Sequence, residues 1–249
     1  MSGDNKDKLF SADQYMKQFG LDQLPLLKVP VVLVFNKDMF EQLKLLYGDE
    51  DNTKSKKSSL NMNYFNLHLD NMSIRVFLSG DGGVSTAFTL EILAKRGITG
   101  ILGIGYSISL VPDKLKIGNY FLPYSSVRCD GASQCYFSKD IPVVVNPLTY
   151  ERIYNIITDK NITHIGLSYC TDSYFHLNRN DVSGKNVMSL DMESGAFLAV
   201  TATHGIPSIL INIIAEEVDY NGDWNIGYPK ARNAFKQLTE MIPEILSNI

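Results

Sequence analysis

Apolar runs that alternate with amphipathic segments predict a chain of successive β-strands and α-helices. The clearest run, Ile209–Ile214, is β-branched and interrupted only by Asn212, which is typical of a buried parallel strand. Before it, the segment from Asp191 to His204 has apolar residues at helical spacing and ends at Gly205, a common helix terminator. The Asp191 side chain is suited to an N-cap. These residues predict a helix that leads into a central strand.

The same patterning predicts further elements along the chain. They are an amphipathic helix at 11–19, a strand at 29–35, a charged loop at 49–59, a hairpin of 63–70 and 73–79 around Asn71, a helix at 84–96, strands at 98–105 and 118–123, a helix at 147–158, a strand at Ile165 and a helix at 229–249. This order predicts a single-domain, three-layer α/β/α fold with a central mixed, largely parallel sheet. We expect residues 1–24 to form an N-terminal arm and residues 25–249 to form the domain.

Composition narrows the class of partner. The chain has 249 residues and a formal net charge of −4, which argues against nucleic acid binding. No apolar run approaches the roughly 20 residues of a membrane helix, and the polar N-terminus is unlike a signal peptide. Three cysteines are too few for a disulfide framework, which favours a reducing compartment. We therefore expect a cytoplasmic protein that acts on a small molecule, and no metal site is apparent.

Acidic residues mark the expected ligand site. Glu216 and Glu217 follow the apolar strand, and α/β sheets bind ligands at the carboxyl ends of their strands. Glu193 falls in the first turn of the preceding helix. An acid there also complements the helix dipole by about 0.3–1 kcal/mol, so a purely structural role is the alternative.

Four segments together resemble the nucleoside phosphorylase superfamily, which includes uridine phosphorylase, hexameric purine nucleoside phosphorylase and methylthioadenosine nucleosidase. They are the Asp191-Met-Glu-Ser194 helix start, the glycine loop Gly80–Ala87 followed by Glu91, the segment Val127–Ser133, and the strand and loop Thr163–Tyr174. They occur in family order over roughly residues 30 to 220. The resemblance implies a nucleoside phosphorylase-like fold.

For the ribose, the resemblance implies binding by Asp191, Met192 and Glu193. A carboxylate on the ribose hydroxyls fixes the sugar and stabilises the positive charge that develops as the glycosidic bond breaks. The alternative for Met192 is a purely structural role in the core.

For the base, the resemblance places Tyr174 as the stacking ring and Glu216 as the catalytic acid that protonates a purine. Where the purine enzymes have Asp, this chain has the longer Glu. The role therefore depends on whether the longer side chain places its carboxyl within hydrogen-bond distance of the base. Asn178 and Arg179 are possible counterparts of the residues that bind uracil, although their spacing differs. A core role is the alternative for Tyr174 and Phe175.

The phosphate site departs from the family pattern. The family's Gly-Asp-Pro-x-Arg reads Asn36-Lys-Asp-Met-Phe40 here, and Gly103 stands where a second arginine is expected. Two lost arginine contacts would weaken phosphate binding by roughly 3–6 kcal/mol. The residues at phosphate-site positions are Gly80, Gly82, Lys37 and Tyr106.

The leading interpretation is a pentosyltransferase of nucleoside salvage that catalyses reversible phosphorolysis of a purine or pyrimidine nucleoside to free base and ribose 1-phosphate. It needs no cofactor beyond phosphate as co-substrate, and the resemblance implies a homodimer or a hexamer built from dimers. The alternatives are a catalytically silent nucleoside-binding or scaffolding protein and a nucleoside hydrolase. The hydrolase lacks its usual base, because Phe40 stands where a glutamate belongs and only Asp38 is close. Glu216 indicates a purine, whereas the Arg128 segment indicates uridine.

Overall fold

The structure is a computed structural model that describes residues 9, 11–20, 22, 26–47, 56–57, 63–69, 72–158 and 160–249. The predicted turn at Asn71 lies outside these residues, as does most of the predicted loop at 49–59. Within that loop, Lys56–Lys57 forms a short strand.

In the described part of the chain, strands and helices alternate as the apolar pattern predicts. The strands are β1 (Val31–Val34), β2 (Lys56–Lys57), β3 (Asn63–Leu69), β4 (Met72–Leu78), β5 (Ile101–Ser109), β6 (Tyr120–Cys129), β7 (Thr163–Thr171), β8 (Val187–Asp191), β9 (Ser208–Val218) and β10 (Trp224–Ile226). The helices are α1 (Ala12–Gln18), α2 (Lys37–Tyr47), α3 (Gly83–Lys95), α4 (Gly131–Gln134), α5 (Pro147–Thr158), α6 (Arg179–Val182), α7 (Ser194–His204) and α8 (Tyr228–Ser247).

The strands form one mixed sheet in the order β10-β9-β6-β7-β8-β5-β1-β4-β3-β2. Because β5 also pairs with β9, the strands β9, β6, β7, β8 and β5 close into a ring, and β1, β4, β3 and β2 extend from it. Parallel ladders join β1 to β4 and β5, β5 to β9, and β7 to β6 and β8. The predicted α/β class with a mixed sheet is confirmed.

Helices pack on the sheet in two groups. Helix α7 contacts α3, α4 and strands β6 and β7, whereas α8 contacts α2, α5 and strands β5 and β9. The first eight residues of α7 are all buried, which explains why this helix is apolar on every side. It ends at Gly205, whose φ of 62° is the left-handed conformation that glycine favours, as predicted. Within the described ranges, none of the helices has both the length and the apolar character needed to cross a bilayer.

Three predicted boundaries are wrong in ways that concern the ligand site. Strand β9 continues to Val218 because β10 pairs with its last residues, so Glu216 and Glu217 lie inside the strand. Asp191 ends strand β8, which was not predicted, and Glu193 precedes α7 instead of lying in its first turn. Strand β6 passes the predicted end at Pro123 because a register shift after that residue accommodates the missing N–H.

Candidate active site

A cavity of about 290 Å³ opens beside the carboxyl ends of β1 and β5 and the second half of β9. This edge of an α/β sheet is where ligands bind. Four aromatic and three acidic side chains line its wall. The aromatic residues are Phe35, Tyr106, Tyr174 and Tyr228, and the acidic residues are Asp81, Glu193 and Glu216.

The cavity brings together five of the predicted site residues. Tyr106, Tyr174, Met192, Glu193 and Glu216 all line it, although they come from four separate stretches of the chain. Their convergence supports the expectation that one ligand contacts all of them.

Glu193 is the most strongly perturbed acid in the cavity wall. Its side chain is 8% exposed; Oε1 accepts a hydrogen bond from the Gly82 N–H at 2.6 Å, and Oε2 accepts one from the Met192 N–H at 3.3 Å. Burial, and next the negative charge of Asp191, raise the pKa of Glu193 to about 8. The ionised carboxylate of Glu193 therefore gains most from a ligand that brings hydrogen-bond donors or positive charge to it.

Asp191 lies beneath the cavity wall and does not line it. Its Oδ1 accepts hydrogen bonds from the N–H groups of Glu193 at 3.2 Å and Ser194 at 2.9 Å, and its Oδ2 accepts one from Asn212 Nδ2 at 3.1 Å. Burial raises the pKa of Asp191 as well. Asp191 thus fixes the turn that carries Glu193 into the cavity, whereas a direct ribose contact was predicted from the sequence.

Glu216 is held between two donors. Trp224 Nε1–H donates to its Oε2 at 2.8 Å, and the Tyr228 hydroxyl donates to its Oε1 at 2.7 Å. Burial and this hydrogen bond raise the pKa of Tyr228 to about 12, so Tyr228 remains a donor. Glu216 therefore faces the cavity as an acceptor at both oxygens, which differs from the proton-donating role suggested by the resemblance.

Tyr174 lies in a short 3-10 helix, Tyr174–His176, directly after β7. Its ring lines the cavity, and burial raises its pKa, so the ring remains neutral. The neighbouring Phe175 is 93% exposed and lies outside the cavity. Of the two adjacent aromatic residues, only Tyr174 is placed to stack on a base.

Asn178 and Arg179 are not brought into the cavity. Asn178 caps the short helix α6, with its N–H donating to Asp181 Oδ2 at 2.8 Å. The Arg179 guanidinium lies 5.9 Å from the centre of the Tyr220 ring and lines a different cavity. Neither side chain therefore lines the cavity that contains Tyr174.

The main-chain donors near the predicted phosphate positions already have acceptors. Asn36 Oδ1 accepts from the N–H groups of Asp38 at 2.9 Å and Met39 at 3.3 Å, which satisfies the start of α2. The Gly82 N–H is used by Glu193. Neither Gly80, Gly82 nor Lys37 lines the cavity.

The two positions where the resemblance leads one to expect arginine are part of the core. A Cβ atom at Gly103 would lie 2.8 Å from Phe197 Cε2 and 3.1 Å from Leu210 Cδ1, so a larger side chain does not fit. Phe40 is 1% exposed and makes an edge-to-face contact with Phe65 at 5.1 Å. Both positions are therefore filled by core packing.

Two hydroxyls in the cavity wall have no hydrogen-bond partner among the described residues. They are Tyr106 Oη and Ser107 Oγ, both on β5 and both buried. Most buried polar groups are hydrogen-bonded, so these two shielded oxygens are exceptions in the wall of the cavity. Sequence reasoning had placed Tyr106 here but had missed Ser107.

Trp224 and Tyr228 were also missed, because tertiary structure alone brings them to Glu216. The turn that includes Gly222, with φ of 90°, returns the chain so that β10 pairs with β9. The signal available in the sequence was the single tryptophan in a polar stretch after an apolar strand.

The ring of strands and the cavity at its edge define an α/β protein with the nucleoside phosphorylase fold. A family model described as the Phosphorylase superfamily matches residues 31–241, and the chain belongs to this family.

Relatives and a solved structure agree with this membership. Uridine phosphorylase of Haemophilus influenzae is 26% identical over 174 residues, which is 61% of this chain and 69% of the relative. Uridine phosphorylase of Escherichia coli is 25% identical over 173 residues, covering 60% of this chain and 68% of the relative. The crystal structure of purine nucleoside phosphorylase from Toxoplasma gondii in complex with immucillin-H has a TM-score of 0.76 at 20% identity, and the match covers 91% of this chain and 94% of that one.

Proposed function

We propose that the protein binds a nucleoside in this cavity and cleaves its N-glycosidic bond. The observation that carries the proposal is the position of Glu193, a buried carboxyl that lines the cavity together with Met192, Tyr174 and Glu216. In this arrangement the ribose lies against Glu193 and Met192, and the base stacks on Tyr174 with its edge toward Glu216.

The chemistry of glycosidic cleavage suits Glu193. As the bond to the base lengthens, positive charge develops on the ribose, and a carboxylate that accepts hydrogen bonds from its hydroxyls stabilises that charge. The Gly82 and Met192 N–H groups hold both carboxyl oxygens in place before the substrate arrives. A Glu193→Gln variant should therefore bind nucleosides more weakly, and equal affinity would contradict the ribose contact.

Phosphate is the acceptor that we propose first, which makes the reaction reversible phosphorolysis to free base and ribose 1-phosphate. The support comes from family membership and from relatives named as uridine phosphorylases. We expect weak phosphate binding, because the described charged residues that line the cavity are all acidic. We further propose a homodimer or hexamer in the cytoplasm, in which a second copy supplies the missing cation.

Hydrolysis is the second candidate, and the acidic lining is the observation that favours it. Water needs no cationic site, whereas the acidic side chains of Asp81 and Glu216 oppose an incoming anion. In this case the ribosyl group passes to water and free ribose is released.

Product analysis separates these possibilities. The protein is incubated with purine and pyrimidine nucleosides, with and without phosphate, and the base and sugar products are resolved by chromatography. Base release that requires phosphate and yields ribose 1-phosphate supports phosphorolysis, and release without phosphate supports hydrolysis. If nothing is released but nucleosides raise the melting temperature, the protein binds nucleosides without cleaving them, and the catalytic part of the proposal is wrong.

A further inference from the structure

The charges around the cavity are one-sided. Asp81 and Glu216 line it together with Glu193, whose raised pKa limits its share of the negative charge, and no lysine, arginine or histidine of the described residues does so. Arg232 acts electrostatically on Tyr106, but its guanidinium is paired with the Asp38 carboxylate at 3.0 Å. The field inside the cavity therefore favours a ligand with positive charge.

The aromatic part of the wall favours the same kind of ligand. Phe35, Tyr106, Tyr174 and Tyr228 line the cavity, and the rings of Tyr106 and Tyr228 meet edge to face with centroids 5.5 Å apart. Aromatic faces attract flat organic cations by about 0.5–2 kcal/mol each, more when water is excluded. Aromatic rings combined with carboxylates are the chemistry that binds alkylated nitrogen heterocycles.

Glu216 is placed to recognise such a cation. The hydrogen bonds from Trp224 and Tyr228 fix its two oxygens as acceptors. This arrangement suits a base that already carries positive charge, since such a base attracts the carboxylate and requires no proton from it.

We infer that the cavity prefers nucleosides whose base carries a positive charge, such as an N-alkylated purine or a pyridinium riboside, over neutral nucleosides. The inference rests on the proposed function and narrows its substrate class. When such a nucleoside is cleaved, the C1′–N bond breaks and its electron pair goes to the ring nitrogen, which leaves the base neutral. The ribosyl carbon then bonds to an oxygen of water or phosphate, and in the case of water the surplus proton passes to solvent.

Calorimetric titration of the full chain with two pairs of compounds tests this preference. Each pair consists of a cation and a neutral compound of similar structure. The first pair is 7-methylguanosine and guanosine at pH 6, where the methylated nucleoside is a cation. The second is 1-methylnicotinamide and nicotinamide, which lack the ribose. We expect each cation to bind at least about tenfold more tightly than its neutral partner.

If the neutral partner binds as tightly as the cation or more tightly in both pairs, the inference is wrong while the proposed function can stand. If 1-methylnicotinamide shows the preference but neither nucleoside binds, the inferred preference for cationic nucleosides is wrong, while the proposed function is still decided by product analysis with purine and pyrimidine nucleosides. If none of the four compounds binds, the inference is overturned, and base release from other nucleosides in the product analysis decides separately whether the proposed function stands.

A pair of neighbouring variants assigns the preference to Glu216. Glu216→Gln should reduce 7-methylguanosine affinity at least about fivefold more than it reduces guanosine affinity. Glu217→Gln is the matched control, because Glu217 does not line the cavity and its Oε1 accepts from the Ile117 N–H at 2.5 Å. An equal loss of affinity for both nucleosides in Glu216→Gln would show that Glu216 maintains the shape of the site and does not recognise the charge of the base.

Discussion

Replacing Glu193 by glutamine should stabilise the protein, and the gain should grow with pH. The carboxyl is 8% exposed and lies beside the buried Asp191, which together raise its pKa from an ordinary value of 4.5 to about 8. The folded state thus holds this proton more tightly than the unfolded state does. Above pH 4.5 the unfolded chain ionises first, so the stability of the parent falls as pH rises and levels off only above pH 8.

The size of the effect follows from the two pKa values. Each pKa unit corresponds to about 1.4 kcal/mol, so this one group costs the parent roughly 1 kcal/mol at pH 5 and roughly 4 kcal/mol at pH 8. Glutamine carries no titrating proton, and its Oε1 can still accept the hydrogen bond from the Gly82 N–H. The variant should therefore gain roughly 3 kcal/mol relative to the parent between these pH values.

Urea unfolding of parent and variant at pH 5, 6, 7 and 8 measures this difference directly. All other titrating groups are shared, so their contributions largely cancel in the comparison. Glu41→Gln, at an exposed position on α2, is the control and should show no such pH dependence. A stability difference for Glu193→Gln that stays constant within about 1 kcal/mol from pH 5 to pH 8 would refute a perturbed Glu193.

Three further predictions follow from packing and hydrogen bonds. Trp224→Phe removes the donor to Glu216 and should weaken 7-methylguanosine binding severalfold in calorimetry, with a smaller effect on the melting temperature. Gly103→Arg should destabilise the protein by about 2 kcal/mol or more in urea unfolding, and should not create phosphate affinity, because Phe197 fills the space. Arg128→Met should cost about 3 kcal/mol or more, since this buried guanidinium donates to four backbone carbonyls of the following loop, and retained stability would contradict that role.

The sequence predicts best where function depends on a short contiguous motif. Met192 and Glu193 reach the cavity because the turn between β8 and α7 is built locally, with Asp191 accepting the N–H groups that follow it. Tyr174 is found for a similar reason, since it directly follows the strand β7. The α/β class follows from apolar runs in the same way.

The sequence fails where the direction of a side chain depends on distant parts of the chain. Arg179 has a plausible position in chain order, yet the capped turn at Asn178 sends it to another cavity. Tyr228 and Trp224 reach Glu216 because β10 folds back on β9, which the sequence indicates only through a single tryptophan in a polar stretch. Order along the chain constrains which strands meet, but not which side chains point into the space between them.

The loss of stability caused by polar groups in the cavity wall distinguishes a ligand-binding protein from a scaffold. Glu193 reduces stability at neutral pH, and Tyr106 and Ser107 bury hydroxyls without partners in the described structure. The two hydroxyls are not needed to pair β5 with β9, because this pairing uses main-chain hydrogen bonds that apolar side chains at the same two positions would leave intact. A ligand with hydroxyl groups or positive charge offsets the cost of Glu193, since it stabilises the ionised carboxylate. The combination therefore favours a protein whose cavity is occupied during its function over one that only supports an assembly.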